Sequence, residues 1–265
     1  MSFEVKDLCF SYPSGPAILK SLSVRLPKGQ ITALIGRNGC GKSTLLRLLN
    51  RLMTPESGQI FLENRSLESY GSKALAQTVA HLAQSPQAPD GLTVQELVEF
   101  GRHPYQGFFG RSSSHDREVV EWALQQTSLL ELRHRNIEAL SGGQRQRAWI
   151  AMALAQDTEY LLLDEPTTYL DIAHQLEVLQ LLSKLNQEQK KTIIMVVHEP
   201  NHASQFAHHV VCLAQGEILL TGDPAKVFTE QNVVDLYGVL PLLFEGKEHG
   251  RPWCVPYMPV KGEKL

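Results

Sequence analysis

The stretch Gly36-Arg37-Asn38-Gly39-Cys40-Gly41-Lys42-Ser43 constrains the fold more than any other part of the chain. It fits the pattern G-x-x-x-x-G-K-[ST]. A small apolar strand, Thr32-Ala33-Leu34-Ile35, stands before it, and a helix from about Lys42 to Arg51 is expected after it. Glycines at these positions let backbone N–H groups converge on a phosphate at the N-terminus of the helix. Lys42 can reach the β- and γ-phosphates of a nucleoside triphosphate, and Ser43 can ligate Mg²⁺. The competing reading is a glycine-rich turn with a solvated lysine, and the strand–loop–helix setting argues against it. The loop alone implies only that a nucleoside triphosphate binds, since kinases, GTPases and motor ATPases share it.

A second carboxylate-bearing strand narrows the chemistry. Tyr160-Leu161-Leu162-Leu163-Asp164-Glu165 reads as a buried strand ending in two acids. In a parallel sheet, ligands sit beyond the carboxyl ends of the strands. Asp164 is therefore placed for the Mg²⁺ shell, and Glu165 for orienting and polarising an attacking water. Taken alone, such a strand could simply end in a polar turn; the phosphate loop upstream gives the acids their meaning.

The rest of the chain supplies a scaffold for these motifs. Residues 2–10 and 17–26 read as short strands broken by Pro13-Ser14-Gly15-Pro16. Gly58 to Leu62, Val79 to Ala83, Thr192 to Val197 and Val210 to Leu213 are further strand candidates. From about Ser85 to Asp157 the pattern is mostly helical. Beyond the acidic strand, Ile172, Leu176, Leu179, Leu182 and Leu185 recur at helical spacing as one apolar face. Buried apolar strands alternating with amphipathic helices predict a parallel sheet covered on both faces. The tail from about Val239 reads as a hairpin packed on the domain. With 265 residues, 43% of them hydrophobic, the chain can bury one large core. A net charge of -3 lacks the concentrated basic character of a nucleic-acid binder. Four scattered cysteines without a CxxC pair suit a reducing compartment. The N-terminus carries no apolar signal segment, and the longest apolar runs are strand-length. A role at a membrane would need another chain to provide the span.

A third motif completes the set. Leu140-Ser141-Gly142-Gly143-Gln144 precedes the helical run Arg145 to Ala155. Ser141 and Gln144 form a capping-box pattern, with Ser141 at the N-cap and glycine N–H groups open to an anion. An ordinary capped helix would look the same. LSGGQ in this position resembles the signature sequence of ABC ATPases, however, and the resemblance runs over nearly the whole chain. Phosphate loop, glutamine after a strand, LSGGQ, acidic strand and lone histidine all occur in that family's order.

The resemblance implies an α/β fold: a P-loop NTPase (RecA-like) core with an N-terminal antiparallel β subdomain and an inserted α-helical subdomain. Residues 1–84 and 158–238 would form the nucleotide-binding core, 85–157 the helical subdomain and 239–265 the C-terminal tail. It implies a head-to-tail dimer of two copies. Mg²⁺ and ATP would be sandwiched between one copy's loop, Gly36 to Thr44, and Ser141, Gly142, Gly143 and Gln144 of the other. Tyr12 matches the residue that stacks on adenine, though a turn or core tyrosine would also fit. Gln84 matches the glutamine that reaches Mg²⁺ and water and couples to membrane subunits. Leu170-Asp171 matches the loop crossing the dimer interface, and His198 the histidine that contacts the γ-phosphate. Arg37 stands where proline or a small residue is frequent, and Glu199 where aspartate often follows the histidine.

Within the family, a lone cassette without a coiled coil is similar to a separate subunit bound to transmembrane permeases. It would lie peripherally on the cytoplasmic face of the cell membrane, with cargo delivered by a periplasmic or surface binding protein. Leu92 to Tyr105 resembles the ATPases of ferric-siderophore, haem and vitamin B12 importers. Thr167 to Ile172 and Gly250 to Cys254 look similar to the ferric-citrate and catecholate-siderophore branch. A non-transport ABC ATPase is the alternative from another class. His198-Glu199-Pro200-Asn201-His202 also spells the zinc-protease pattern H-E-x-x-H. Pro200 is tolerated only in a first helical turn, so a helix spanning the motif is not expected. His208-His209 reads as a solvated pair. Cys40 admits two readings. The helix N-terminus and Lys42 would lower its thiol pKa and make it reactive, or its sulfur turns into the sheet and stays inert.

Overall fold

The computed structural model describes residues 2–106, 112–246 and 250–260. The chain forms two compact units: residues 1–69 with 194–265, and residues 70–193. Along the sequence, the first unit begins with β1 (Phe3–Ser11), β2 (Ala17–Leu26), β3 (Ile31–Ile35), α1 (Lys42–Leu49), β4 (Ser57–Leu62) and β5 (Arg65–Ser66). The second unit holds α2 (Ser72–Ala76), β6 (Val79–Leu82), α3 (Val94–Glu99), α4 (Ser114–Gln126), α5 (Gly142–Ala155), β7 (Tyr160–Asp164) and α6 (Ile172–Gln189). Strand β8 (Thr192–Val196) leads back to the first unit. There follow α7 (Pro200–Phe206), β9 (His209–Ala214), β10 (Glu217–Gly222), α8 (Pro224–Val227), α9 (Glu230–Tyr237), β11 (Val239–Glu245) and β12 (Pro252–Pro259).

In the first unit, β2-β1-β4-β5 make an antiparallel sheet. Its strands alternate buried and exposed residues, as a sheet with one wet face must. Strand β3 is different. All five of its residues are buried, and it pairs in parallel with β9, Ile35 opposite Cys212. Strand β10 returns antiparallel beside β9. It escapes the sequence reading because its residues alternate only between half-buried and exposed. The tail folds into the expected hairpin, with Val239 opposite Pro259 and Phe244 opposite Trp253. Its hold on the domain is specific. The Asn201 amide donates to the Cys254 carbonyl at 3.0 Å and accepts from the Cys254 N–H at 2.7 Å, while the Ser204 hydroxyl donates to Pro252 O at 2.6 Å.

In the second unit, β6 and β7 pair in parallel, Val79 opposite Tyr160 and Leu82 opposite Leu163. Helices α3, α4 and α5 form the helical block that the sequence predicts. It is pinned by one buried ion pair, Arg102 Nε to Asp116 Oδ1 at 2.8 Å. The Arg102 Nη1 group also donates to Ala155 O at the end of α5, at 2.9 Å.

Two sequence expectations need correction. The apolar face of α6 is buried only from Val178 onward; Ile172 is 75% exposed and Leu176 38%. Helical spacing shows which residues share a face, but not whether something covers it. His208-His209 is a solvated pair only in part, since His208 is exposed as expected and His209 is not. The His208 Nδ1 accepts from the Ile31 N–H at 3.2 Å, and His209 is half-buried at the start of β9, where burial lowers its pKa.

Candidate active site

The phosphate loop of the first unit is closed by backbone geometry that only glycine permits. Gly36 follows β3 with φ 143°, and a Cβ there would lie 2.1 Å from the Leu213 carbonyl oxygen of β9. At the other end Gly41, with φ 104°, is the N-cap of α1 and offers no side chain to the first helical N–H groups. These donors stay available to an anion, reinforced by the helix dipole. Arg37, Asn38 and Gly39 are exposed at the rim, and Ser43 is half-buried in the first turn of α1.

Lys42 is buried, and its ammonium is folded onto its own loop. It donates to Gly36 O at 2.8 Å and Arg37 O at 3.0 Å. Cys40 lies beside it, 5% exposed, with Sγ 3.9 Å from Nζ. Burial pushes the Cys40 thiol up, and the opposing pull of Lys42 does not overcome it. Of the two readings of Cys40, this burial favours the inert thiol.

Tyr12, at the end of β1, meets Phe10 edge to face at 5.1 Å. Its hydroxyl shares a hydrogen bond with Thr44 Oγ1 of α1 at 3.3 Å. At 38% exposure it is neither a core tyrosine nor a free one. The sequence leaves this link to α1 unread, because residues 12 and 44 are distant in the chain.

In the second unit, the paired ends of β6 and β7 bring Gln84 and Glu165 together. The Gln84 Nε2 donates to Glu165 Oε2 at 2.6 Å, and Thr168 Oγ1 donates to the same oxygen at 2.9 Å. Asp164, one residue earlier, is 1% exposed. Glu165 itself has φ 54°, a left-handed backbone rare outside glycine, which turns the chain sharply just after the strand. Thr168 is a partner that motif reading missed. A hydroxyl three residues beyond the glutamate was the available signal.

The LSGGQ segment folds as its capping box predicts. The Ser141 hydroxyl accepts from the Gln144 N–H at 3.3 Å, and Gln144 Oε1 accepts from the Ser141 N–H at 3.1 Å. Ser141 and Gly142 are exposed, while Gly143 is buried. The loop after β7 ends at Asp171, the N-cap of α6, whose carboxylate accepts from the His174 N–H at 2.9 Å. Hydrogen bonds from the His174 backbone and ring lower the Asp171 pKa.

His198 is exposed beyond β8, and α7 starts only at Pro200. His198 and His202 therefore do not share one helical face, and the zinc-protease arrangement does not form. Among the described residues no helix is long and apolar enough to cross a membrane.

The family described as ABC transporter matches residues 19–168. The chain is 48% identical over 247 residues to the iron(3+)-hydroxamate import ATP-binding protein FhuC of Bacillus subtilis (strain 168), covering 93% of this chain and 92% of that one. It is 45% identical to the ferric enterobactin transport ATP-binding protein FepC of Escherichia coli (strain K12), covering 90% and 88%. Among solved structures, the dimeric post-hydrolysis cassette MJ0796 bound to ADP and Pi superposes with a TM-score of 0.74 at 28% identity, covering 83% of this chain and 98% of that one. The chain thus belongs to the ATP-binding family of ABC transporters and is an ATPase of it.

Proposed function

We propose that the chain is the ATP-hydrolysing subunit of an importer for ferric siderophores. It works as a head-to-tail dimer bound to two transmembrane permease subunits on the cytoplasmic face of the membrane, with a binding protein delivering the chelate. The observation that carries this reading is the likeness, over nine-tenths of the chain, to ATP-binding proteins named for hydroxamate, petrobactin and enterobactin import. Identities of 45–48% across such different chelates fit a subunit that supplies energy and does not touch cargo.

The site residues then take these roles. Lys42 exchanges the Gly36 and Arg37 carbonyls for β- and γ-phosphate oxygens, and the loop N–H groups of residues 39–44 enclose the phosphates. Tyr12 stacks on the adenine. Glu165, held by Gln84 and Thr168, orients the attacking water and takes its proton. His198 contacts the γ-phosphate. Ser141 to Gln144 and Asp171 act on the ATP bound by the partner copy. The donor chemistry also suits a hard cation. The Asp164 carboxylate, the Ser43 hydroxyl and the Gln84 carbonyl oxygen are ligands of the kind Mg²⁺ takes, and Gln84 keeps that oxygen for ligation by committing its nitrogen to Glu165. When bound, Mg²⁺ would neutralise charge on the β- and γ-phosphates.

The test is purification of the native complex through a tag on this chain. Expected are co-purifying permease subunits and ATPase activity stimulated by a binding protein loaded with a ferric siderophore. A permease whose binding protein takes no iron chelate would refute the cargo assignment and leave the ATPase standing.

A further inference from the structure

His174 stands between two segments that must act together. In the first turn of α6, its Nδ1 lies 2.8 Å from Asp171 Oδ1, so the side chain and the backbone N–H both hold the carboxylate at the end of the crossing loop. The same ring lies flat against the signature. A Cβ on Gly143 would come 2.7 Å from His174 Cδ2 and 2.9 Å from Cγ. A side chain on Gly143 would therefore have to displace the imidazole.

Two further contacts keep α5 against this region. Gln146 Nε2 donates to Pro166 O at 2.9 Å, and Arg147 pairs with Glu177 at 2.5 Å. They act farther along α5, away from its exposed tip at Ser141 and Gly142. His174 reaches both the tip and Asp171.

We propose that His174 is a positioning residue: its ring and its Nδ1–H bond fix Asp171 relative to Ser141–Gln144, so that both reach the partner copy's nucleotide as one rigid element. This rests on the shared-site reading above and adds a residue that the motifs do not name. The cost of misplacing such groups falls on the step that needs them aligned, not on capture of ATP by a copy's own phosphate loop.

The test uses the full chain and reads ATP affinity and turnover at saturating ATP separately. His174→Ala should leave affinity unchanged and lower kcat about ten-fold, the scale of one hydrogen bond to a charged group. His174→Asn, whose amide nitrogen can stand near the Nδ1 position, should recover most of that loss. In an Asp171→Ala background, His174→Ala should cost no more than about two-fold further, since interacting residues are not additive. The inference is overturned by kcat within about two-fold of the parent for His174→Ala, by a loss that appears as weaker ATP affinity, or by fully additive losses. Half-buried His174 lies outside the core, and the Arg147–Glu177 pair remains, so these variants should fold. The parent's own turnover, measured alongside, tests the ATPase assignment independently.

Discussion

Replacing Asp116 by alanine should destabilise the helical block more than any single change at the phosphate loop. Asp116 and Arg102 are 8% and 3% exposed at the side chain and meet at 2.8 Å. Asp116 also accepts from the Ser113 N–H at 2.8 Å and hydroxyl at 2.7 Å, closing the capping box of α4. Arg102 lies over the Tyr105 ring at 3.9 Å and reaches Ala155 O. Removing the carboxylate strands a buried guanidinium, which costs about 3–5 kcal/mol. At about 2–4 °C per kcal/mol for a chain of this size, the midpoint of thermal unfolding should fall by about 10 °C. Burial pushes the Asp116 carboxyl up, but the Ser113 and Arg102 bonds outweigh it and hold it at about 2, against an ordinary 3.8. That depression contributes stability on the order of 2 kcal/mol, present above the ordinary value and lost as pH falls through about 2. The gap between parent and Asp116→Ala should therefore narrow in strong acid. Circular dichroism melts across pH measure both effects. The double change Arg102→Met with Asp116→Leu removes the charges together and should recover several degrees. A fall below about 3 °C for Asp116→Ala, or a double variant no better than the single, would refute the reasoning.

Glu165→Gln keeps shape and removes the base, so ATP should still bind while phosphate release slows by about 10²–10⁴; near-normal turnover in a folded variant would move the base elsewhere. Lys42→Ala and Ser141→Arg chains should each be nearly inactive alone, yet regain part of the activity when mixed, because a heterodimer holds one intact site. No recovery with proven heterodimers would count against sites shared between copies, and a cysteine crosslink from position 141 to the partner's phosphate loop would check the geometry directly. Limited maleimide labelling with peptide mapping should modify half-buried Cys9 before buried Cys40; Cys40 labelling as fast, with slowing by ATP, would favour the reactive-loop reading.

What the sequence discloses is what local chemistry dictates. Gly36 to Ser43 is legible because a phosphate loop needs glycine backbone and a lysine at fixed offsets. Ser141 and Gln144 are legible because a capping box closes within four residues. Strand β7 is legible because five buried apolar-rich residues leave few alternatives. The failures are long-range. The neighbours of Cys40 in the chain leave two readings open, and the burial that favours the inert one comes from packing that no local pattern reports. Ile172 and Leu176 share a face with Leu179, but the spacing is silent on where coverage stops. The Gln84–Glu165 bond and the Tyr12–Thr44 bond join residues 81 and 32 positions apart, and only the folded chain brings them together. The site residues were therefore readable as types in motifs, while their mutual support was not.

The left-handed backbone at Glu165 sets activity against durability. A side chain in that conformation costs about 1–2 kcal/mol that glycine would avoid. Glu165→Gly would relax the turn after β7 and should raise the chain's resistance to heat, at the expense of the carboxylate. The same backbone strain recurs four residues later at Tyr169, also left-handed at φ 65° and 87% exposed. The turn from Glu165 to Tyr169 is thus locally less stable than its sequence could be made. Laboratory selection for thermal tolerance alone, with no demand for hydrolysis, should tolerate glycine at both positions.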